Sequence, residues 1–137
     1  MVFVDTNILL YAISTHPSEA EKNQKARAIL SGSDLVFSVQ VLQEFYVQAT
    51  RPTRTDPLTH EEATALIQYW LRHRIIPITV QVMQDALDIM KRYQTSYWDA
   101  AILAAAASAR CSDLLSEDLN PGQSYNSVRV INPFLKN

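Results

Sequence analysis

Apolar and polar positions follow one another in blocks that predict short strands separated by helices. The apolar runs that have the length of buried strands lie within residues 1–5, 34–38, 74–79, 112–118 and 127–131. The segments in which apolar residues recur every three to four positions predict helices at residues 8–13, 18–30, 39–50, 59–73, 80–94 and 96–110. Strands that alternate with helices form parallel sheets covered on both faces, so the pattern predicts an α/β fold.

Two local signals refine this prediction. Thr59 and Glu62 have the spacing of a capping box, which predicts that the fourth helix begins there. Pro77 lies in the third strand and cannot donate a ladder hydrogen bond, so this strand is expected at an edge of the sheet. No repeat, low-complexity tract or linker divides residues 1–137, and we expect a single domain.

Composition excludes several classes of protein. With 47% apolar and 19% charged residues, the chain is not a disordered acidic or basic tail. The two glycines, Gly32 and Gly122, are too few and too far apart for a glycine-rich phosphate loop. The single cysteine, Cys111, excludes a disulfide framework and is expected in the core, which favours a reducing, cytoplasmic location. No apolar stretch approaches the ~20 residues that span a bilayer, so no membrane partner is expected.

The net charge of −2 gives no global positive field that would attract nucleic acid. A nucleic-acid partner would have to be met by a local patch, and half of the Lys and Arg residues lie in the middle third of the chain. They are Arg51, Arg54, Arg72, Arg74, Lys91 and Arg92. Ordinary solvated helix faces explain them equally well.

Four acidic residues are the candidates for chemistry, and each has a structural explanation of its own. Asp5 follows the first strand and could cap the next helix. Asp99 begins a helix without charges up to Arg110, and Ser96 stands at the capping-box spacing from it. Glu44 lies within a helix and has no basic residue three or four positions away, so it is expected to be partly buried. Asp118 follows the fourth strand and could be a turn residue.

Taken together, these acids indicate a metal site. In a doubly wound sheet the carboxyl ends of the strands face one crevice, where ligands bind. Two carboxylates ~4 Å apart repel by about 4 kcal/mol at an effective dielectric constant of roughly 20. A cluster of four therefore calls for protonation or a cation, and oxygen ligands without Cys or His favour Mg²⁺ or Mn²⁺. Such an ion can activate water against a phosphodiester.

Four segments carry a resemblance to a known family: "FVDTNILLYA", "VLQEFYVQAT", "SYWDAAILAAA" and "LLSEDLNPGQ…VRVINPF". With them the sequence resembles the PIN-domain ribonucleases, in particular the VapC-type toxins of toxin–antitoxin pairs. The resemblance implies a PIN-like parallel sheet of about five strands ordered 3-2-1-4-5, with helices on both faces. It also implies Mg²⁺- or Mn²⁺-dependent endonucleolytic cleavage of RNA, a homodimer, and a small antitoxin protein as partner.

The resemblance also assigns site residues. The family's acidic quartet falls on Asp5, Glu44, Asp99 and Asp118. Of these, we expect Asp5, Asp99 and Asp118 to ligate the metal, and Glu44 to complete the cluster or help deprotonate the attacking water. The residues expected to hold these carboxylates in place are Thr6, Asn7 and Ser116, the last at a position where many relatives carry threonine. Those expected to contact RNA phosphates are Arg51 and Arg54. Tyr11 and Ile13 are expected to be exposed on the early helices and to receive the antitoxin.

Three other readings remain. A haloacid-dehalogenase-type phosphatase would use Asp5 as nucleophile, but it needs a second aspartate where this chain has Asn7. A response-regulator receiver needs two tandem acids near its start and a lysine near its last strand, and neither is present. A PIN-like domain that binds RNA or protein without cutting is the main alternative, although it would have no use for four mutually repelling acids.

Overall fold

The computed structural model describes residues 1–135, which form a central sheet flanked by helices. The strands are β1 (Val2–Val4), β2 (Leu35–Ser38), β3 (Arg74–Ile76), β4 (Asp113–Leu115), β5 (Ser124–Tyr125) and β6 (Val128–Ile131). The helices are α1 (Thr6–Ala12), α2 (Ala20–Leu30), α3 (Val39–Ala49), α4 (His60–Trp70), α5 (Val80–Tyr93) and α6 (Tyr97–Ser108), with a 3₁₀ turn at Pro17–Glu19. The predicted α/β class is confirmed.

The strand order of the sheet is β3-β2-β1-β4-β6-β5. All neighbouring strands are parallel except β5, which runs antiparallel to β6. The five predicted strands therefore have the expected order, with β6 as the predicted fifth strand, and β5 extends the sheet by one strand that was not predicted. A two-residue turn joins β5 to β6, in which Asn126 has a φ of 55°.

Strand β3 lies at an edge of the sheet, as predicted. Pro77, however, follows this strand instead of lying within it, because the strand ends at Ile76, which pairs with Ser38 of β2. A residue without an N–H cannot extend the ladder, so the proline marks the end of the strand.

The chain adds strands first on one side of β1 and then on the other. Strands β2 and β3 lie on one side of it, and β4 and β6 on the other. Right-handed crossovers then place α1 to α4 on one face and α5 and α6 on the opposite face. Helix α6 is apolar on all sides, and its residues 100–106 are all buried. This change of side opens a crevice at the carboxyl ends of β1 and β4, where α/β sheets bind their ligands.

Local predictions at element ends are largely confirmed. Thr59 caps α4, with its hydroxyl accepting from the Glu62 backbone N–H at 3.1 Å and the Glu62 carboxylate accepting from the Thr59 N–H at 3.0 Å. This helix ends at Trp70, three residues before its predicted end. Cys111 is buried and unpaired, as expected. Among residues 1–135, no helix combines the length and the apolar character needed to cross a bilayer.

Candidate functional site

The register between β1 and β4 brings Asp5 beside Ser116. Val4 pairs with Leu115, and the Asp5 backbone N–H donates to the Leu115 carbonyl at 3.0 Å, so the two chains leave the sheet side by side. Asp5 is buried, and each of its carboxylate oxygens accepts one hydrogen bond at 2.7 Å, from the Thr6 backbone N–H and from the Ser116 hydroxyl. Asp5 thus caps α1 and at the same time faces the crevice.

The four acidic residues selected from the sequence line one cavity of about 310 Å³. They reach it from the end of β1, from the middle of α3, from the first turn of α6 and from the loop after β4. Asp5 is buried, Glu44 and Asp99 are half-buried, and Asp118 is exposed. The structure therefore brings all four side chains to one place, and their catalytic roles remain predictions.

Two donors fix the orientation of Glu44. The Thr6 hydroxyl donates to Glu44 Oε2 at 2.9 Å, and the Gln40 side-chain amide donates to Glu44 Oε1 at 2.9 Å. Gln40 was not among the residues selected from the sequence. Its position one helical turn before Glu44 was the available signal, because residues four apart on a helix are neighbours.

Asn7 and Ser116 connect Asp118 to the buried end of the cavity. The Asn7 amide donates to Asp118 Oδ2 at 3.1 Å and to the Ser116 hydroxyl at 3.3 Å. The Ser116 hydroxyl also accepts from the Asp118 backbone N–H at 3.1 Å while it donates to Asp5. One donor and two acceptors are all that a hydroxyl offers, so this buried serine is fully satisfied.

Burial and neighbouring charges raise the pKa of two of the four acids, Asp5 and Asp99. Burial raises the pKa of Asp5 to about 6; the hydrogen bonds from Ser116 and Thr6 oppose the change, and the charges of Asp118 and Glu44 add to it. Burial likewise raises the pKa of Asp99; Ser96 offsets part of the change, and Asp118 and Glu44 again add to it. The charges that raise the pKa of Asp5 and Asp99 create a negative potential in the cavity, which favours a cationic ligand.

The positive residues near the cavity do not neutralise these acids. Arg54 lines the cavity, but its guanidinium lies 3.4 Å from the Leu10 carbonyl, to which it donates. Arg51 is exposed and does not line the cavity. Within residues 1–135, no Lys or Arg forms an ion pair with any of the four acids.

A second network of hydrogen bonds borders the cavity, and it was not predicted from the sequence. The Lys22 ammonium lies 2.5 Å from Glu117 Oε2, and the Tyr11 hydroxyl donates to Glu117 Oε1 at 2.5 Å. The ring of Tyr11 also packs edge-on against Phe134, with centroids 5.0 Å apart. The expectation that Tyr11 and Ile13 are exposed is therefore wrong, because both are half-buried against the core.

The donor chemistry of the cavity fits a hard divalent cation. Its carboxylate and amide oxygens are ligands of Mg²⁺ and Mn²⁺, and no thiol or imidazole lines it. As the side chains stand, no three acidic, His or Cys residues among residues 1–135 form a ready set of ligands for one ion. Mg²⁺ tolerates this arrangement, because it keeps several waters and binds through one or two carboxylates together with substrate phosphates.

Comparisons with known proteins agree with this architecture. The solved structures similar to the chain include a toxin–antitoxin complex from Klebsiella pneumoniae, at 19% identity and a TM-score of 0.73, covering 98% of each chain. VapC20 of Mycobacterium tuberculosis, described as a Sarcin-Ricin loop cleaving toxin, has 18% identity and a TM-score of 0.68, with 86% of this chain and 92% of that chain covered. VapBC2 of Rickettsia felis, bound to a promoter DNA fragment, has 16% identity and a TM-score of 0.64, with 95% and 97% covered.

These likenesses establish the fold. No curated protein sequence matches the chain significantly. The family model of the PIN domain matches residues 2–121, which is most of the chain. The chain therefore belongs to the PIN domain family.

Proposed function

We propose that this protein is a Mg²⁺- or Mn²⁺-dependent endoribonuclease and the toxin of a toxin–antitoxin pair. The observation that carries the proposal is the convergence of Asp5, Glu44, Asp99 and Asp118 on one cavity in which no basic residue of the described chain pairs with them. The PIN family membership and the toxin components among the similar structures support it.

In this mechanism Asp5, Asp99 and Asp118 hold the cation. When bound, the ion polarises the scissile phosphate and lowers the pKa of a water molecule that attacks it. Because burial holds the pKa of Asp5 at about 6, a fraction of the molecules still carries this proton near neutral pH, and Asp5 would have to release it in order to hold a cation. Glu44, held on both oxygens by Thr6 and Gln40, orients the attacking water and accepts its proton.

Three residues keep these acids in place. Ser116 ties Asp5 to the Asp118 backbone, Asn7 holds the Asp118 carboxylate, and Thr6 holds Glu44. Arg54 is the better placed of the two predicted RNA contacts, since it lines the cavity and Arg51 does not. The expected role of Arg54 is to bind a phosphate beside the one that is cut.

Two protein partners belong to the proposal. A small antitoxin would neutralise the nuclease, as expected from the resemblance and from the toxin–antitoxin complexes among the similar structures. A homodimer is supported by a shallow apolar groove of about 610 Å³ between α3, α4 and β3, in which Val47 is 56% exposed. Sedimentation velocity should show a dimer for the wild type and a monomer for Val47→Glu. A monomeric wild type would remove the dimer from the proposal.

The decisive experiment measures RNA cleavage by purified protein freed from any partner. The wild type should cut RNA internally when Mn²⁺ is added, and EDTA should stop it. Asp99→Asn should reduce the rate at least a thousandfold, whereas Asp88→Asn, the same charge change at an exposed position of α5 outside the cavity, should cut at the wild-type rate.

The same assay distinguishes the main alternative. If the wild type binds RNA but leaves it intact in Mn²⁺, and Asp99→Asn behaves identically, the protein is a non-catalytic binding module. Circular dichroism of each variant establishes that a loss of cleavage is not a loss of fold.

A further inference from the structure

Trp98 is an exposed aromatic residue at the cavity that holds the four acids. It lines this cavity and precedes Asp99 directly in the chain. Its relative exposure is 66%, whereas the second tryptophan, Trp70, is 3% exposed and lies in the core. An indole usually contributes its large apolar area to the interior, so its exposure beside a polar cavity points to a binding role.

The other aromatic residue that lines this cavity already has its partners. Tyr11 packs against Phe134, hydrogen-bonds to Glu117 and lies under the Lys22 ammonium. Trp98 contacts Tyr97 at a centroid distance of 5.1 Å and an interplanar angle of 81°, an edge contact that leaves most of the indole accessible. Trp98 is therefore the aromatic group that can accept a ligand here.

The backbone of Trp98 is tied to the acidic cluster. Its carbonyl accepts from the Gln40 side-chain amide at 3.3 Å, and the same amide donates to Glu44 at 2.9 Å. An amide group has two N–H donors and can make both bonds. The backbone that carries the indole thus has a fixed position relative to Glu44, on α3, and to Asp99, on its own helix.

The negative charge of the cavity explains what an exposed aromatic ring contributes to RNA binding. The cavity is acidic and the whole chain has a net charge of −2, so coulombic attraction for a polyanion is weak outside Arg54 and any bound cation. Stacking of a base on an aromatic ring does not depend on charge, and it needs a base whose face is free of pairing and stacking partners.

We propose that Trp98 stacks on an unpaired nucleobase next to the phosphodiester that is cut, and so positions RNA in the acidic cavity. This inference rests on the proposed function for the reaction, but its binding part can be measured alone. It implies that RNA with an unpaired base at the cut is preferred over a perfect duplex of the same sequence.

Fluorescence gives the binding test, because the indole of Trp98 is exposed while that of Trp70 is buried. The Asp5→Asn protein, in which RNA stays intact, is titrated with a single-stranded oligoribonucleotide and with its blunt duplex. The single strand should quench the emission and the duplex should not. The quenching should disappear in Asp5→Asn/Trp98→Phe.

Kinetics give the second readout. In the otherwise wild-type protein, Trp98→Ala should raise KM by roughly tenfold while kcat changes by less than about threefold, and Trp98→Phe should keep KM within about threefold. The salt dependence of binding should be the same in Trp98→Ala and wild type, because no phosphate contact is lost. Tyr69→Ala, which removes an exposed aromatic ring outside the cavity, serves as the matched control.

The outcomes separate this inference from the proposed function. Wild-type cleavage with no quenching and an unchanged KM in Trp98→Ala would overturn the stacking role and leave the nuclease intact. Quenching by single strands in a protein that cuts no RNA would sustain the stacking role and remove the nuclease. Emission that responds to protein concentration and not to RNA would assign Trp98 to a protein interface and overturn the proposal.

Discussion

Ser116 donates a 2.7 Å hydrogen bond to Asp5 across 111 positions of sequence, and this bond joins the ends of the two central strands. The hydroxyl is buried and also accepts from Asn7 and from the Asp118 backbone. A single side chain thus connects three residues that face the cavity, and it lowers the pKa of Asp5 against the effect of burial.

Replacing this hydroxyl should shift the pH dependence of cleavage. Without its donor, Ser116→Ala raises the pKa of Asp5 further, so the acid limb of kcat/KM should move to higher pH. The free energy of unfolding should fall by about 1–2 kcal/mol, because the partly buried donors of Asn7 and Asp118 lose their acceptor. Ser116→Thr keeps the hydroxyl and should keep the wild-type profile. If the acid limb of kcat/KM is identical in Ser116→Ala and wild type, the protonation of Asp5 does not control the reaction.

Asp5 should make the metal-free protein less stable as the pH rises. Its pKa is about 6 in the folded protein against an ordinary value of 3.8, so the folded state binds this proton more tightly than the unfolded state does. The free energy of unfolding should therefore decrease between these two pH values, by about 3 kcal/mol, and level off above them.

Urea unfolding in EDTA from pH 4 to pH 7 measures this effect. Asp5→Asn removes the ionisable group. Its free energy of unfolding should therefore increase relative to that of the wild type as the pH rises through that interval. Asp88→Asn, at an exposed position of α5, should follow the wild type. A constant difference between Asp5→Asn and wild type at every pH would show that Asp5 does not titrate as described.

The Thr6 hydroxyl should affect turnover through Glu44. Thr6→Val removes the donor to Glu44 Oε2 at nearly constant volume, and the freed carboxylate loses its fixed orientation. We expect kcat to fall by roughly tenfold with little change in KM, as for an interaction that acts mainly in the transition state. Thr6→Ser retains the donor and should retain most of the activity. Equal kcat values for Thr6→Val and Thr6→Ser would show that the hydrogen bond from Thr6 to Glu44 does not support turnover.

Lys22 should support Asp118 through its neighbour Glu117. Burial raises the pKa of Glu117, but the hydrogen bonds from Lys22 and Tyr11 outweigh it, so the pKa lies below its usual value. The stability that this network contributes is present above the ordinary glutamate pKa and is lost as the pH falls through the folded one. Lys22→Met should cost less than about 1 kcal/mol, because the pair is partly exposed.

The same substitution should weaken Mn²⁺ binding by roughly tenfold, since Asp118 would lose an anchored neighbour. Lys25→Met, an exposed position on the same helix, is the control and should bind Mn²⁺ normally. If both variants bind Mn²⁺ alike, the Lys22 network stabilises the fold without positioning the site.

The sequence predicted the parts of the molecule that follow from periodicity and from the ends of strands. An apolar run that stops at Asp5, and another that stops before Asp118, place two acids at the carboxyl ends of strands, which meet in a parallel sheet. Glu44 was recognisable because no cation accompanies it on its helix. These are local signals.

Contacts between distant segments had no such signal. Lys22 and Glu117 are 95 positions apart, so no local pattern indicated the ion pair between them. Tyr11 was expected at the surface because its partners Glu117 and Phe134 are likewise far away in the sequence. Strand β5 is only two residues long, too short for a periodicity, although Asn126 at the turn with positive φ was a usable hairpin signal.

The central claim is that Asp5, Asp99 and Asp118, which come from three separate elements, together bind a divalent cation. Electron paramagnetic resonance of Mn²⁺ titrated into the metal-free protein tests it most directly. The wild type should bind Mn²⁺, and Asp5→Asn, Asp99→Asn and Asp118→Asn should each weaken binding by roughly tenfold or more, whereas Asp88→Asn should bind like the wild type. A wild type that binds no Mn²⁺, or three variants that bind it as the wild type does, would contradict the account.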